Sequence, residues 1–245
     1  MNHLFSIITI TFNAEKELPA TLASVKNQTF TDFEHLIIDG KSKDKTVELA
    51  KTSGIPNINI TSEPDKGLYD AMNKGVRKAS GKYLIFLNAG DCFHAPDTLQ
   101  EIADCINKNH CPDIVYGQTQ LVNEKREFVG MRHLTAPEVL TFDCFKHGML
   151  VCHQAFIAQR SIVEEYNTTY RFSADYEWCL RCLKKMKTSA YTGSTIIDYL
   201  TEGLTDKNHK ASLKERFKIM CDYYGTVPTV VRHIGFFFRN LKRKF

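Results

Sequence analysis

The stretch that decides the fold is Tyr83-Leu84-Ile85-Phe86-Leu87-Asn88-Ala89-Gly90-Asp91, an apolar run that stops at a small polar loop ending in an acid. Five bulky residues without polar alternation are typical of a strand buried on both faces. Ligands of open α/β sheets lie outside the carboxyl ends of the strands, so we expect chemistry at Asp91, beside a glycine that lets a ligand approach. A single carboxylate there suits a hard cation that also binds phosphate oxygens. An ordinary turn in which Asp91 only caps a helix is the alternative.

Length and composition indicate one α/β domain with an appendage. The chain has 245 residues, 43% hydrophobic and 24% charged, as in ordinary soluble globular proteins. No apolar run approaches the ~20 residues of a membrane span, and no basic leader precedes the first strand, so we expect a cytoplasmic protein. Its eight cysteines are then expected to be free thiols, with Cys179 and Cys182 facing the core of a helix rather than binding zinc.

Charge is concentrated at the end of the chain. From Lys214 onward there are eight Lys/Arg and two Asp/Glu, a local balance of +6, whereas everything before it sums to −2. A nucleic-acid-binding domain should carry its basic residues on a face of the main fold. The distribution therefore excludes nucleic acid as the expected partner.

Strands and helices alternate through the first half of the chain. Strands are predicted at 5–10, 35–38 and 58–60, and helices at 15–28, 46–52 and 68–79. Helices of this length between strands indicate βαβ units and a parallel sheet. The strand ends would then bring Asn13, Asp39 and Asp91 to one edge, where we expect a nucleotide-sized pocket.

Glycine-rich phosphate loops are missing from this edge. No strand is followed by G-x-G-x-x-G, and residues 75–82 lack the spacing and the Ser/Thr of a P-loop. A diphosphate bound here would have to be neutralised mainly by a cation.

Several motifs together resemble family 2 glycosyltransferases, which have the GT-A fold. They are IITITFNAE (7–15), Q-T-F-x-D-F-E (28–34), I-I-D-G-x-S-x-D-x-T (37–46), E-P-D-K-G-L-Y-D-A-M-N-K-G (63–75) and Y-L-I-F-L-N-A-G-D (83–91). The resemblance runs from Phe5 to about Thr205. It implies a mostly parallel central sheet flanked by helices, and inverting transfer of a sugar from a nucleotide diphospho-sugar, a UDP-sugar by expectation, with Mn²⁺ or Mg²⁺. It also implies a catalytic domain over 1–205, with a donor half (1–117) and an acceptor half (118–205).

The resemblance assigns donor-binding roles along the first half. Asp39 matches the residue that contacts the base and ribose, while residues on the other side of the base and near the donor sugar are Thr11, Phe12, Asn13, Asp65, Lys66 and Gly67. Phe12 would be available for stacking. In the structural alternative Asp65 starts a turn and Asp70 caps the following helix.

Asp91 matches the metal-binding acid of the family's DXD motif. The adjoining Asn88, Ala89 and Gly90 would contact the donor, but Asn88 stands where an acid is frequent, so this motif offers one carboxylate. Metal coordination would then depend on Asp91 and the donor's phosphates.

The second half is expected to bind the acceptor. A strand is predicted at 114–117, followed by a hairpin-like excursion over 118–132. His153, in an H-Q pair, is either a donor-phosphate or metal contact or a structural histidine. A-D-Y-E-W (174–178) resembles the family segment that supplies the catalytic base, which makes Asp175 the predicted base and Glu177 the reserve; helix capping alone would also explain an acid at this place.

Residues 206–245 form the basic, aromatic tail, predicted to be helical through Tyr224. Its aromatic and basic residues suit contact with an anionic membrane, and packing on the catalytic domain is the alternative.

Three function classes follow. The first is a glycosyltransferase of cell-surface polysaccharide (capsule-type) biosynthesis that acts on a saccharide or lipid-linked saccharide. The second is a catalytically inactive nucleotide-sugar or glycan-binding protein, which Asn88 and Gly90 keep open. The third is a sugar nucleotidylyltransferase, which should carry a glycine-rich basic loop where Thr11-Phe12-Asn13 stands.

Overall fold

Four parallel strands form the first half of the central sheet. The computed structural model describes residues 3–201 and 209–242. The first elements are β1 (Phe5–Thr11), α1 (Leu18–Lys26), β2 (Phe33–Asp39), α2 (Thr46–Thr52), β3 (Ile58–Ser62), α3 (Leu68–Lys78) and β4 (Tyr83–Phe86). The strands lie in the order β3-β2-β1-β4. This arrangement confirms the predicted βαβ units.

The second half adds antiparallel strands among parallel ones. It contains β5 (Cys92–Phe93), α4 (Thr98–Lys108), β6 (Ile114–Val122), β7 (Phe128–Met131), β8 (Phe156–Gln159), α5 (Ala174–Lys185), β9 (Ser189–Leu200), α6 (His209–Tyr224) and α7 (Thr226–Lys242), with 3₁₀ turns at 142–147, 153–155 and 160–162. The sheet continues β4-β8-β6-β9-β5, and β7 pairs with β6. Because β6 and β9 are parallel to each other and β8 is antiparallel to both β4 and β6, the sheet is mostly parallel.

The predicted elements differ from the structure mainly at their ends. The first helix begins at Leu18 rather than Glu15, because Glu15 accepts a hydrogen bond from the Lys45 backbone and residues 15–17 form a turn. The strand predicted at 114–117 continues to Val122 before the hairpin turns back as β7. The helix predicted through Tyr224 is α6, and a second helix, α7, follows it.

The apolar run 83–87 is fully buried, which confirms that β4 is covered on both faces. Phe86 packs edge-on against Trp178 of α5, with ring centroids 5.7 Å apart. Cys179 and Cys182 lie buried on the same helix as free thiols, as predicted. The core thus fixes the strand whose carboxyl end carries Asn88 to Asp91.

Among the helices that the structure describes, none is long and apolar enough to cross a bilayer.

Candidate active site

Asp39 lies buried at the carboxyl end of β2 and accepts four hydrogen bonds. Oδ1 accepts from Thr11 Oγ1 (3.0 Å) and Ser42 Oγ (2.5 Å), and Oδ2 accepts from Ser62 Oγ (2.6 Å) and the Ser42 backbone (2.9 Å). Burial raises the pKa of Asp39, but these hydrogen bonds outweigh it and hold the pKa below its usual value. The ionised carboxylate is therefore fixed, and a contact to a nucleobase requires one of the serine hydroxyls to turn away.

Phe12 and Asp65 flank the backbone that follows Asp39. A Cβ added to Gly40 would lie 2.5 Å from Asp65 Oδ2 and 3.2 Å from Phe12 Cδ2. The Phe12 ring is 65% exposed, although it follows a buried strand. An exposed aromatic ring beside a carboxylate is suited to stacking on a base. The structure thus brings together three sequence-predicted residues from three separate loops.

Asn13 supports its own loop rather than facing solvent freely. It adopts a positive φ of 49°, its backbone N–H donates to Ser42 Oγ (2.8 Å), and its side-chain Oδ1 accepts from the Lys43 backbone (2.9 Å). Asn13 and Ser42 thereby tie the loops after β1 and β2 together.

The segment before α3 is a turn built by its two acids. Asp65 Oδ1 accepts from the Gly67 backbone, and Asp70 Oδ2 accepts from the Lys66 backbone, both at 2.9 Å. Gly67 has a φ of 125°, which favours glycine. The turn role weighed for Asp65 is thus observed, whereas Asp70 accepts from the residue before the N-cap and makes no cap hydrogen bond to α3. The exposed Lys66 side chain lies on this turn.

Asp91 is buried, and both of its oxygens are hydrogen-bonded. Oδ2 accepts from Gln154 Nε2 (2.7 Å) and Oδ1 accepts from the Leu200 backbone (3.1 Å). Burial raises the pKa of Asp91 to about 7, against the lowering effects of these two donors and of the nearby Arg126 charge. Asp91 therefore sits at the balance between its neutral and its ionised form near physiological pH.

The turn that carries Asp91 is held from two sides. Its backbone closes through Asp91 N–H to the Asn88 carbonyl (2.9 Å). Thr21 Oγ1 accepts from Gly90 N–H (2.9 Å) and donates to the Asp91 carbonyl (2.8 Å), and Arg126 Nη1 donates to the Gly90 carbonyl (2.5 Å). Helix α1 and the β6–β7 hairpin therefore fix this turn, which is not simply the cap of a following helix.

The oxygens on this turn fit a divalent cation. Asn88 Oδ1 is buried and has no hydrogen-bond partner among the described residues. Each Asp91 oxygen uses one lone pair in the hydrogen bonds above and keeps another. No group of three His, Cys, Asp or Glu side chains able to hold a metal occurs in the described part of the chain. A hard cation bound here would take its remaining ligands from phosphate or water.

Asp175 lies in the first turn of α5, as predicted. Its Oδ1 accepts from the Tyr69 hydroxyl (3.2 Å) and from the Tyr176 backbone (2.8 Å). The side chain is half-buried, so it remains reachable from solvent. Tyr69 lies in the first turn of α3, and this contact therefore joins the predicted donor half to the predicted acceptor half.

Glu177 makes hydrogen bonds within α5 and to α6. Its buried carboxylate accepts from Arg181 Nε on both oxygens (3.0 Å) and from the Tyr223 hydroxyl (2.5 Å). Of the two acids in this helical turn, Asp175 is the one left to accept a proton.

His153 lies in an aromatic cluster beneath the site. Its Nε2 is 2.7 Å from the Tyr166 hydroxyl, and its ring packs against Phe86 and Trp178. Burial lowers the pKa of His153 to about 4, so the ring is neutral at pH 7. The structure favours the structural role for His153, and the neighbouring Gln154 is the side chain that reaches Asp91.

The sequence arguments missed four site residues. Gln154 and Tyr69 stand inside motifs already recognised, so an extended motif reading could have found them. Arg126 and Leu200 carry no local signal, because they reach the turn from 36 and 109 positions away.

The chain is similar in sequence to known glycosyltransferases. The model of the family described as "Glycosyl transferase family 2" matches residues 6–166, which stops short of Asp175 and the tail. A PGL/p-HBAD biosynthesis glycosyltransferase of Mycobacterium bovis is 36% identical over 186 residues, 73% of this chain and 69% of the relative. An uncharacterized glycosyltransferase of Haemophilus influenzae is 26% identical over 207 residues, 81% of this chain and 68% of that protein.

Solved structures show the same fold. Residues 1–349 of S. aureus TarS superpose with a TM-score of 0.74 at 18% identity, covering 96% of this chain and 72% of that one. The same fragment in complex with UDP-GlcNAc gives a TM-score of 0.71 at 18% identity, covering 96% of this chain and 73% of that one. The likeness confirms the predicted GT-A-like fold, a mostly parallel sheet flanked by helices.

Proposed function

The chain belongs to glycosyltransferase family 2, and from this membership we propose that it transfers a sugar, with inversion, from a UDP-sugar to a saccharide or lipid-linked saccharide. The observation that carries the proposal is the hydrogen bond between Tyr69 and Asp175, which places a carboxylate beside the segment expected to approach the donor sugar. A binding protein that only holds a nucleotide sugar has no need of a half-buried base at this position.

The donor is a uridine nucleotide sugar. Solved TarS fragments of the same fold contain UDP or UDP-GlcNAc. In this chain the exposed Phe12 ring and the Asp65 carboxylate both lie beside the position that a Gly40 Cβ would occupy, and they offer a stacking face and an acceptor for a ribose hydroxyl. The base and ribose would bind there, with the diphosphate extending toward Asp91.

Asp91 and Asn88 would hold the divalent cation. They offer a buried carboxylate and a buried amide oxygen that has no hydrogen-bond partner among the described residues, and both kinds of oxygen suit Mn²⁺ or Mg²⁺. When bound, the cation supplies electrostatic stabilisation of the charge that develops on the departing diphosphate. Gln154 and the Leu200 backbone keep the Asp91 carboxylate oriented.

The chain's own residues then organise a single displacement. Asp175 accepts the proton of the acceptor hydroxyl as that oxygen forms a bond to the anomeric carbon. The bond from the anomeric carbon to the diphosphate oxygen breaks on the opposite side, and the electron pair leaves with the UDP. A single step in which the acceptor attacks opposite the departing diphosphate inverts the anomeric carbon.

The acceptor belongs to a cell-surface glycan or glycolipid. One relative, 36% identical, is named a PGL/p-HBAD biosynthesis glycosyltransferase, and this similarity supports a biosynthetic role for the chain.

The tail supplies a surface suited to an anionic membrane. One face of α7 packs on the domain: Thr229 is buried, and His233 lies against Phe217 of α6 at 5.0 Å between ring centroids. The opposite face carries an aliphatic stripe at helical spacing, exposed by 40 to 74%: Val227, Val230, Val231 and Ile234. Residues 214–245 have a balance of +6, which complements anionic headgroups. We therefore place the enzyme at the cytoplasmic face of a membrane, held peripherally by α7.

The test is a panel of nucleotide sugars, measured by thermal shift and by turnover, each with and without Mn²⁺. One UDP-sugar should stabilise the wild type, and Asp91→Ala should weaken both stabilisation and transfer. Asp175→Asn should preserve donor binding and lower transfer by about 10²- to 10⁴-fold, the usual contribution of a general base.

The matched control is Asp104→Asn, the same change at an exposed position of α4. It should leave binding and turnover unchanged. Near-normal transfer by Asp175→Asn would remove the base assignment, and stabilisation by no nucleotide sugar would overturn the transferase proposal in favour of a role without a donor.

A further inference from the structure

The Tyr69 side chain joins two segments that lie 106 positions apart in sequence. Its hydroxyl is 3.2 Å from Asp175 Oδ1, and its ring is buried at the start of α3. The preceding residues 65–67 form the turn beside Phe12 and Gly40. The base is therefore in contact with the helix that carries the donor-facing turn.

The two oxygens of Asp175 have different surroundings. Oδ1 accepts both the Tyr69 hydroxyl and the Tyr176 backbone N–H (2.8 Å), whereas no described residue donates to Oδ2. A carboxylate held through one oxygen presents the other for proton transfer. Oδ2 is thus the oxygen of Asp175 that receives no hydrogen bond from a described residue.

Neighbouring rings determine where the Tyr69 hydroxyl points. Tyr69 stacks on Tyr166 at 5.7 Å and 24°, and Tyr166 stacks on Trp178 of α5 at 5.2 Å and 11°. Asn73, one turn along α3, donates to the Tyr166 carbonyl (3.0 Å) and accepts from its backbone N–H (2.6 Å). Packing from α3 and α5 therefore limits the motion of the ring.

We propose that Tyr69 is a positioning residue for the catalytic base: its hydroxyl holds Oδ1 of Asp175, so that Oδ2 meets the acceptor. The inference rests on the proposed function. The first turn of α3 carries Tyr69 and directly follows the turn 65–67, which is expected to approach the donor. One element would therefore orient both the donor and the base that acts on the acceptor.

Four buried groups around Asp175 keep a constant charge between pH 5 and 9: Tyr69, Tyr166, Cys179 and His153. Burial raises the pKa values of Tyr69 and Tyr166 above 10, and it raises that of Cys179 above 9. Burial lowers the pKa of His153 to about 4. The positive charge of Arg216 of α6 opposes the rise in the pKa of Tyr69. Burial raises the pKa of Asp91 to about 7, so Asp91 also titrates in this range, and the experiment reads the difference between two proteins that share it.

The experiment compares wild type with Tyr69→Phe, which keeps the ring stack and removes only the hydroxyl. Losing a donor to the carboxylate favours its protonated form, so the pH of half-maximal kcat should move upward by about 0.5 to 1 unit. At neutral pH kcat should fall about 5- to 10-fold. Donor affinity, measured by calorimetry with UDP and Mn²⁺, should change less than twofold.

Two further variants decide the interpretation. Tyr83→Phe removes a buried hydroxyl that donates to the Pro112 carbonyl, far from the base, and should leave the pH profile unchanged. Tyr69→His keeps an aromatic donor but titrates near neutral pH, so it is compared at pH 8 only, where its kcat should lie between those of wild type and Tyr69→Phe. A Tyr69→Phe profile that coincides with wild type, or an equal shift in Tyr83→Phe, overturns the positioning role. Activity in Asp175→Asn instead removes the proposed base itself, so the two failures are distinguishable.

Discussion

Gly90→Ala tests whether the turn after β4 needs a glycine. Gly90 has a φ of 102°, and an added Cβ would lie 2.9 Å from Leu200 Cδ2 and 3.5 Å from Glu17 Cβ. An L-residue at such a φ costs about 1–2 kcal/mol, and forcing a methyl into a packed site typically costs about 1–3 kcal/mol more. We expect the free energy of unfolding to fall by about 2–5 kcal/mol.

The same change should reach the site through Leu200. Relief of the contact displaces Leu200, and the backbone N–H of this residue donates to Asp91 Oδ1. Losing a hydrogen bond to a charged group costs about 1.5–3 kcal/mol, so UDP affinity in the presence of Mn²⁺ should fall about tenfold or more.

Urea denaturation measures the first effect and calorimetry the second. The matched control is Gly130→Ala in β7, where an added Cβ meets nothing within 4 Å and φ is not positive. That variant should stay within about 0.5 kcal/mol of wild type and bind UDP normally. If Gly90→Ala matched Gly130→Ala in both measurements, the reasoning about the turn would be refuted.

Two other predictions concern parts of the chain outside the turn. Burial lowers the pKa of His35 to about 3, so the unfolded chain takes up a proton below pH 6.5 that the folded chain excludes, and stability falls as pH falls. From pH 7 to pH 5, urea denaturation should show wild type losing about 2 kcal/mol relative to His35→Gln, and a constant difference would contradict this. Val231→Asp should weaken partitioning onto anionic phospholipid vesicles without lowering the melting temperature, whereas Leu213→Asp, at an exposed leucine of α6, should not; equal partitioning of all three proteins would count against the α7 surface.

Much of the fold was predictable because its signals are local. The run 83–87 is buried on both faces, and α3 (Leu68–Lys78) matches the helix predicted at 68–79 to within one residue. The expectation for the first helix was wrong at its start, because Glu15 is used in a contact with the loop 43–45. A contact of that kind cannot be read from helical periodicity.

The site was predictable as a set of acids but not as a network. The placement of Asp175 in the first turn of α5 is confirmed, and its role as base stays a prediction. The two acids Asp91 and Asp175 accept hydrogen bonds from Gln154, Leu200 and Tyr69. Each of these donors is more than 60 positions away in sequence from the acid that it contacts. Their partners depend on strand order, which a motif does not encode.

The strand order also fixes the permissible length of the loop that carries Asp91. β4 and β5 are four steps apart in the sheet, about 19 Å if the sheet were flat. From Phe86 to Cys92 the chain includes the tight turn at Asn88–Asp91, so its reach is about 18 Å at full stretch. A flat sheet leaves no slack, and the sheet must curl to bring its far edge back toward β4. The segment between Phe86 and Cys92 spans the curved sheet by the shorter, straight path. The number of residues in this segment therefore limits how flat the sheet can be between β4 and β5.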